Sequence, residues 1–293
     1  MRILIYGQHV SEEHLPSIKE LLDSARDEGI RVVYYRPYYR KLAKFLELPE
    51  TDEFVELSED LDKIKIDFII SLGGDGTILS AVTLIRDRQI PILGINMGRL
   101  GFLASIEAKH ATKAIHKLSK GMYTIEDRVM LYLETTGSVF EGERFALNDF
   151  TLHKRETSSM MTIRTYINGD FLTSYWADGL IIATPTGSTA YSLSCGGPII
   201  FPKSGNFVIT PVAPHNLNVR PIVVRDDSVI SFEIEGRSNT YLATLDSRFE
   251  AVTDDLQLAV RKCDFGTRIV LPDNFSFMKT IHEKLTWGAD RRN

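Results

Sequence analysis

Short apolar runs that end in glycine, each followed by a stretch with helical spacing, dominate the first part of the chain. The run "RILIYG" (residues 2–7) predicts a strand. Ser11 is then placed to cap a helix in which Leu15, Ile18, Leu22 and Ala25 share a face, with Gly29 closing it. "IRVVYY" (30–35) is β-branched and aromatic and predicts a second strand. "YRKLAKFLEL" (39–48) predicts a short helix. "DFIISL" (67–72) predicts a buried strand that runs into the turn Gly73-Gly74-Asp75-Gly76-Thr77 and a helix over about 77–87. "PILGIN" (91–96) is a further strand, and 107–120 reads as a helix with Ala111, Ala114, Ile115 and Leu118 on one side. This alternation predicts an N-terminal α/β domain over residues 1–125, built on a doubly wound parallel sheet. Ligands of such sheets sit at the carboxyl ends of the strands, where the glycine turn and "NMGRLGF" both fall.

The pattern changes near residue 126. Short β-type runs follow one another: "RVMLYLETTG", "ERFALNDFTL", "MTIRTYI", "FLTSYW", "GLIIATP", "NFVITPV", "PIVV", "SVISFEI" and "TYLATLD". Asn168-Gly169 between two of them is a hairpin signal. Residues 126–271 therefore predict an all-β C-terminal domain. The tail, 272–293, turns helical again and is expected to pack back on the first domain.

Composition narrows the function. Lys+Arg number 34 against Asp+Glu 39, a formal net charge of -5, which speaks against a nucleic-acid binder. Cys195 and Cys263 form neither a metal spacing nor a disulfide framework, which fits a reducing, cytoplasmic setting. The first residues are too short and polar-flanked for a signal peptide, and no apolar run approaches the roughly 18 residues of a membrane span. The seven histidines lack ligand spacing, so no protein-built metal site is expected.

The glycine turn is the sharpest chemical signal. Gly73, Gly74, Gly76 and Thr77 can cradle a phosphate at a helix start. Asp75 in its middle would repel that phosphate. It is therefore an ordinary helix N-cap, or it serves to align and deprotonate an attacking hydroxyl or to hold a metal. A second cluster lies in "YWADGLIIATPTGSTAYSLSCGGPI" (175–199), where Thr184, Thr186, Gly187, Ser188 and Thr189 crowd the end of an apolar run. It is a solvated Ser/Thr loop or a ligand cradle of small donors. Asn148-Asp149, taken alone, is turn material. Tyr191 and Phe102 are more often core residues than stacking partners, and residues 154–161 read as a polar loop. No P-loop or protein-kinase signature is present.

Taken in order, "GGDGTIL", "GINMGRLGFL", "LND", "ADGLIIATPTGSTAYSLSCGGPI", "PVAPHNLNVRPIVV" and "LDSR" resemble the NAD kinase family. The first forty residues or so and the tail contribute little to the likeness. The resemblance implies an α/β domain, an all-β domain and a site between them. It implies transfer of the terminal phosphoryl of ATP to the 2′-hydroxyl of the adenosine ribose of NAD. By that likeness Asp75 is the proton acceptor and Gly76 lines the dinucleotide. Asn148, Asp149, Asp178, Thr189, Ala190, Tyr191, Ser192, Leu193 and Ser194 would contact it, with Thr186 and Phe102 close by and Arg248 as a polar contact. Mg²⁺ would arrive largely with the nucleotide phosphates. A homo-oligomer, dimer or tetramer, whose sites borrow residues from a neighbour, is implied as well. Three positions depart from the family pattern: Asp149 stands where Glu is usual, Cys195 where Ala is common, and Arg248 at a Gln-like position. A lipid or sugar kinase that shares the glycine turn, and a non-catalytic dinucleotide sensor with no need of Asp75, are the competing expectations.

Overall fold

The computed structural model describes residues 1–49, 53–98, 101–155, 160–236, 239–273 and 275–287. Arg99 and Leu100 of "NMGRLGF", residues 156–159 of the polar loop, and the tail beyond Trp287 lie outside the described residues.

The chain divides into two compact units, one formed by Met1–Asp127 together with the chain from Thr267 onward, the other by Arg128–Gly266. In the first unit the elements run β1 (Arg2–Gly7), α1 (Leu15–Asp27), β2 (Arg31–Tyr35), α2 (Arg36–Leu42), β3 (Phe54–Val55), β4 (Phe68–Leu72), α3 (Asp75–Ile85), β5 (Ile92–Asn96), β6 (Ile106–Glu107), α4 (Ala111–Ser119) and β7 (Thr124–Arg128). The second unit holds β8 (Leu131–Thr135), β9 (Phe145–Ala146), β10 (Asp149–Lys154), β11 (Met161–Ile167), β12 (Asp170–Ala177), β13 (Gly179–Ala183), α5 (Tyr191–Ser194), β14 (Asn206–Val212), β15 (Ile222–Arg225), β16 (Ile230–Gly236), β17 (Thr240–Leu245), β18 (Arg248–Thr253) and β19 (Leu258–Lys262). The chain then returns to the first unit with β20 (Thr267–Leu271) and α6 (Phe277–Leu285).

The first sheet has the order β3-β2-β1-β4-β5-β20-β7, with β6 beside β5. The pairs β1/β2, β1/β4, β4/β5 and β5/β20 are parallel. From β1 the chain winds outward through β2 and β3, then crosses to β4 and β5. The direction reverses between β1 and β4, and that crevice is where such sheets take ligands. β4 and β5 are buried along their whole length, which explains their unbroken apolar runs.

The second unit packs two antiparallel sheets, β15-β14-β13-β10-β17-β18 and β12-β11-β16-β19-β8-β9. Their facing sides make one core in which Phe150, Leu180 and Phe207 meet Ile163, Tyr175 and Phe232. The rings of Phe150 and Phe232 stack across it at 5.8 Å. Asn168 and Gly169 take φ of 53° and 88°, the left-handed pair that a two-residue β11/β12 hairpin requires.

Several predicted elements are corrected. Ser11 caps nothing with its side chain: a 3₁₀ turn, Glu12–His14, precedes α1. α2 begins at Arg36, with proline in its first turn, and ends at Leu42, six residues short of the expected end. The stretch 107–110 is strand end and 3₁₀ turn, and α4 starts at Ala111. "ERFALNDFTL" is two strands, broken at Leu147-Asn148. The largest difference is β20. Its residues read as part of the all-β domain, yet Ile269 pairs in parallel with Ile92 of β5 in the first sheet. A short β-rich run carries no mark of the sheet it will join. In the same unit Lys117 of α4 pairs with Asp273 at 3.0 Å, and the Phe102 and Phe277 rings lie 6.4 Å apart.

Candidate active site

In the first unit the glycine turn follows β4 and opens α3. Gly74 is the helix N-cap residue, and no side chain caps it. Asp75 is the first helical residue, and its carboxylate does not turn back on its own helix. It reaches across to the chain after β5, where Oδ2 accepts the N–H of Phe102 at 2.8 Å and Oδ1 accepts those of Leu103 and Ala104 at 3.1 and 2.9 Å. The N-cap role is thereby excluded. Charge-assisted bonds of this kind are worth about 1.5–3 kcal/mol each, so Asp75 and the 102–104 segment fix one another. A methyl group on Gly101 would overlap the Asp75 carboxyl, which is why that position must be bare.

The glycines of the turn divide into two kinds. A Cβ on Gly73 would overlap the Thr77 side chain, so Gly73 is required by packing. A Cβ on Gly74 or Gly76 would meet nothing within 4 Å, and Gly74 has an ordinary φ of -90°. Neither packing nor conformation demands glycine there. What glycine leaves at both places is bare backbone at a helix N-terminus, where an anion can approach N–H groups closely. A cavity of about 370 Å³ adjoins the turn, lined among others by His9, His14, Tyr38, Gly73, Thr77 and Asn96. The two histidines gave no signal in the sequence because they stand outside any motif. A second cavity, about 320 Å³, lies between α4 and α6 and contains none of the predicted site residues.

In the second unit the hydroxyl-rich segment is not a solvated loop. Thr184, Thr186, Ser188 and Ser192 are buried. Thr184 Oγ1 donates to the Leu147 carbonyl at 2.5 Å and accepts the Gly187 N–H at 3.1 Å. Ser188 Oγ accepts from Ile200 N at 2.9 Å, and Ser192 Oγ shares a 2.8 Å bond with Thr210 Oγ1. Arg128 Nη1 donates to Thr186 Oγ1 at 3.2 Å. These hydroxyls hold the turn, while Thr189, Ala190, Tyr191, Leu193 and Ser194 keep accessible surface. Gly187 lies so close to Asn148 that a Cβ would overlap its backbone carbonyl, and the corner Asn148-Asp149 is thereby seated against the turn.

Along β10, Asp149 is buried and His153 and Lys154 are half-buried. Lys154 Nζ meets Asp178 Oδ1 at 2.6 Å. The His153 ring stacks on Tyr191 at 5.6 Å, leaving Tyr191 40% exposed. Burial pushes His153 below its ordinary value, with Asp178 opposing, so the ring is neutral at pH 7. Burial and then the Asp246 carboxylate push the Asp149 carboxyl up to about 7, against one hydrogen bond from Thr151 Oγ1 at 3.2 Å. Tyr191, in the 189–194 segment, thus lies within reach of both the Asp149 and the Asp178 carboxylates, with Asn148 seated against the same turn at Gly187. Phe102 belongs to the other unit, beside Asp75.

Arg248 departs from expectation. Its guanidinium donates to the carbonyls of Glu143, at 2.5 Å, and Phe145, and lies over the Phe145 ring. It binds the β8–β9 connection. His153, Lys154 and Asp246 are polar neighbours of the predicted residues that sequence reasoning missed. The first two look like ordinary strand residues, and Asp246 sits in "LDSR" beside the arginine that drew attention.

A parallel sheet with a bare-backbone turn at its switch point is the build of a nucleotide-binding protein. Residues 8–123 match the model of the ATP-NAD kinase N-terminal domain, and residues 147–271 that of the ATP-NAD kinase C-terminal domain. The NAD kinase of Cytophaga hutchinsonii is 44% identical, and that of Bacteroides fragilis strain ATCC 25285 is 42% identical, each aligned over all of both chains. Among solved structures, the yeast NADH kinase complexed with NADH superposes with a TM-score of 0.87 at 23% identity, covering 100% of this chain and 89% of that one. The NAD kinase of Archaeoglobus fulgidus in complex with ATP gives 0.74 at 23% identity, covering 98% and 99%. The chain belongs to the NAD kinase family. Nothing in these relatives supports the lipid-kinase, sugar-kinase or sensor alternatives.

Proposed function

We propose that the chain transfers the terminal phosphoryl of ATP to the 2′-hydroxyl of the adenosine ribose of NAD, giving NADP, with Asp75 as proton acceptor. The observation that carries this is Asp75 itself. Its carboxylate stands between two exposed glycines that need no other explanation, and it caps no helix. Three backbone N–H groups fix its direction. Of the roughly four lone-pair sites of a carboxylate, three are occupied, which leaves one for a hydroxyl proton. Phosphoryl transfer depends mainly on positioning and charge neutralisation, so a rigidly held weak base is sufficient. Gly73, Gly74, Gly76 and Thr77 take the donor phosphates. Asn148, Asp149, Asp178 and the accessible atoms of 189–194 take the dinucleotide.

Mg²⁺ enters as part of the Mg–ATP substrate. Among the described residues no group of three or more His, Cys, Asp or Glu is arranged to hold a metal, and a hard cation of this kind is held largely by the phosphate oxygens it arrives with. The cysteines are free, and among the described residues no helix is long and apolar enough to cross a membrane. Free thiols fit the reducing, cytoplasmic setting proposed here. The homo-oligomer that the family likeness implies is tested by light scattering on the purified protein. Incubation with Mg²⁺, ATP and NAD, with the product identified by NMR, tests the reaction. NADP carrying a 2′-phosphate is expected. Turnover of diacylglycerol or a free sugar with none of NAD overturns the assignment.

A further inference from the structure

Asp246 lies in the turn between β17 and β18, at a left-handed φ of 54°. Its Oδ2 accepts the N–H of Leu147 at 2.9 Å, and its Oδ1 accepts those of Asn148 at 2.7 Å and Asp149 at 3.2 Å. Three successive amides therefore converge on one carboxylate. The bond is returned, because Asp246 N donates to the Asp149 carbonyl at 3.0 Å. On the other side Thr184 N donates to the Asn148 carbonyl at 2.9 Å. Adjacent amides in a strand point to opposite sides, so one carboxylate collects three of them only if the strand is broken there. This is the break between β9 and β10.

We propose that Asp246 is a positioning residue for the dinucleotide. By gathering these amides it sets the corner from which Asn148 and Asp149 present their side chains, and it does not itself touch the ligand. The inference rests on the NAD kinase function proposed above. The charged groups facing the corner are Asp246 and Arg248 from β17–β18 and Asp149 from β10, with the Tyr191 hydroxyl and Cys195 thiol on the α5 side. The negative charge of Asp246 also acts on Asp149, so removing it shifts the titration of Asp149 downward.

The test is Asp246→Asn. An amide offers one acceptor oxygen and turns its NH₂ toward one of the three donors. KM for NAD is expected to rise about 10- to 100-fold, the effect of losing one charge-assisted bond, with kcat within a few-fold and KM for ATP unchanged. The pH at which KM for NAD changes is expected to move to lower values, which a purely structural role would not produce. A folded variant with wild-type KM for NAD and an unmoved pH profile overturns the proposal. If the variant does not fold, hydrogen exchange on the wild-type protein decides: slow exchange at 147–149 without ligand is expected, and fast exchange there overturns it. A wild-type protein that makes no NADP would instead sink the proposed function, a result separate from either of these.

Discussion

Asp149 offers a quantitative test of the cradle, through stability. Its carboxyl is buried, has one hydroxyl donor, faces Asp246 and is pushed up to about 7 from an ordinary value of 3.8. A carboxyl raised in the folded state makes the native protein bind more protons than the unfolded chain between the two values. Its contribution is fully present below about pH 4 and is lost as pH rises through about 7. At about 1.4 kcal/mol per unit, a rise of roughly three units makes the native protein on the order of 4 kcal/mol less stable at pH 8 than it would be with an uncharged group there. Asp149→Asn supplies that group at nearly the same volume and still accepts from Thr151. Urea unfolding of both proteins, without ligand, at half-unit steps from pH 4.5 to 8.5 reads the difference. The two stabilities should differ by only about 1 kcal/mol at pH 4.5, and the variant should pull ahead with a slope approaching 1.4 kcal/mol per unit near pH ~5.5, halving near pH ~7 and levelling off above it. Asp246 is raised as well, so the pair titrates as a unit and the difference curve reports its coupling. Parallel curves, or an advantage that grows toward acid, would refute a buried, proton-holding Asp149.

Three further substitutions probe the site. Asp75→Asn removes the base and sets an NH₂ against one of the amides of 102–104, so kcat should fall about 10²–10⁴ together with a lower Tm; near-wild-type kcat in steady-state assays would eliminate Asp75 as the base. Gly101→Ala places a methyl on the Asp75 carboxyl and should lower kcat by up to about 10²-fold through misplacement alone, with NAD affinity by calorimetry little changed; an unaltered kcat would mean that the direction of the carboxylate is unimportant. Gly187→Ala drives a methyl into the Asn148 carbonyl and should cost about 1–3 kcal/mol in chemical denaturation and weaken NAD binding, whereas a neutral effect would show that the contact yields freely.

What could be read from the sequence was local. Unbroken apolar runs located β4 and β5, and the glycine turn between β4 and α3 could be placed to the residue. The density of small hydroxyl residues marked the second cradle, but not which of them faced inward. Thr184 and Ser188 lie in an unbroken buried run, residues 181–188, that enters a tight turn with no simple period, so their internal bonds appear only in three dimensions. The partners of Asp75 lie 27 to 29 residues further along the chain, in a stretch without periodicity. Asp246 acts on amides 97 to 99 residues before it. Arg248 shows the converse: a position inferred from likeness to other chains is occupied here by a side chain that the β8–β9 connection retains. β20 fell inside the predicted all-β stretch, and its place in the first sheet was not legible, because partner choice depends on what is already folded nearby.

That strand has a consequence for how the protein comes into being. β20 lies in the interior of the first sheet, between β5 and β7, and is synthesised after the whole of the other unit. Domains usually close in the order in which they leave the ribosome. Here the amino-terminal half must wait with the flank of β5 near Ile92 unpaired, β6 covering only its far end, while some 140 residues of the other unit emerge and fold. A message truncated near codon 266 would yield a complete β-sandwich attached to an α/β sheet with an open apolar edge, a species suited to aggregation and to capture by chaperones. A quality check is in that sense written into the chain order: only a ribosome that has passed the second unit supplies the strand that joins β5 to β7.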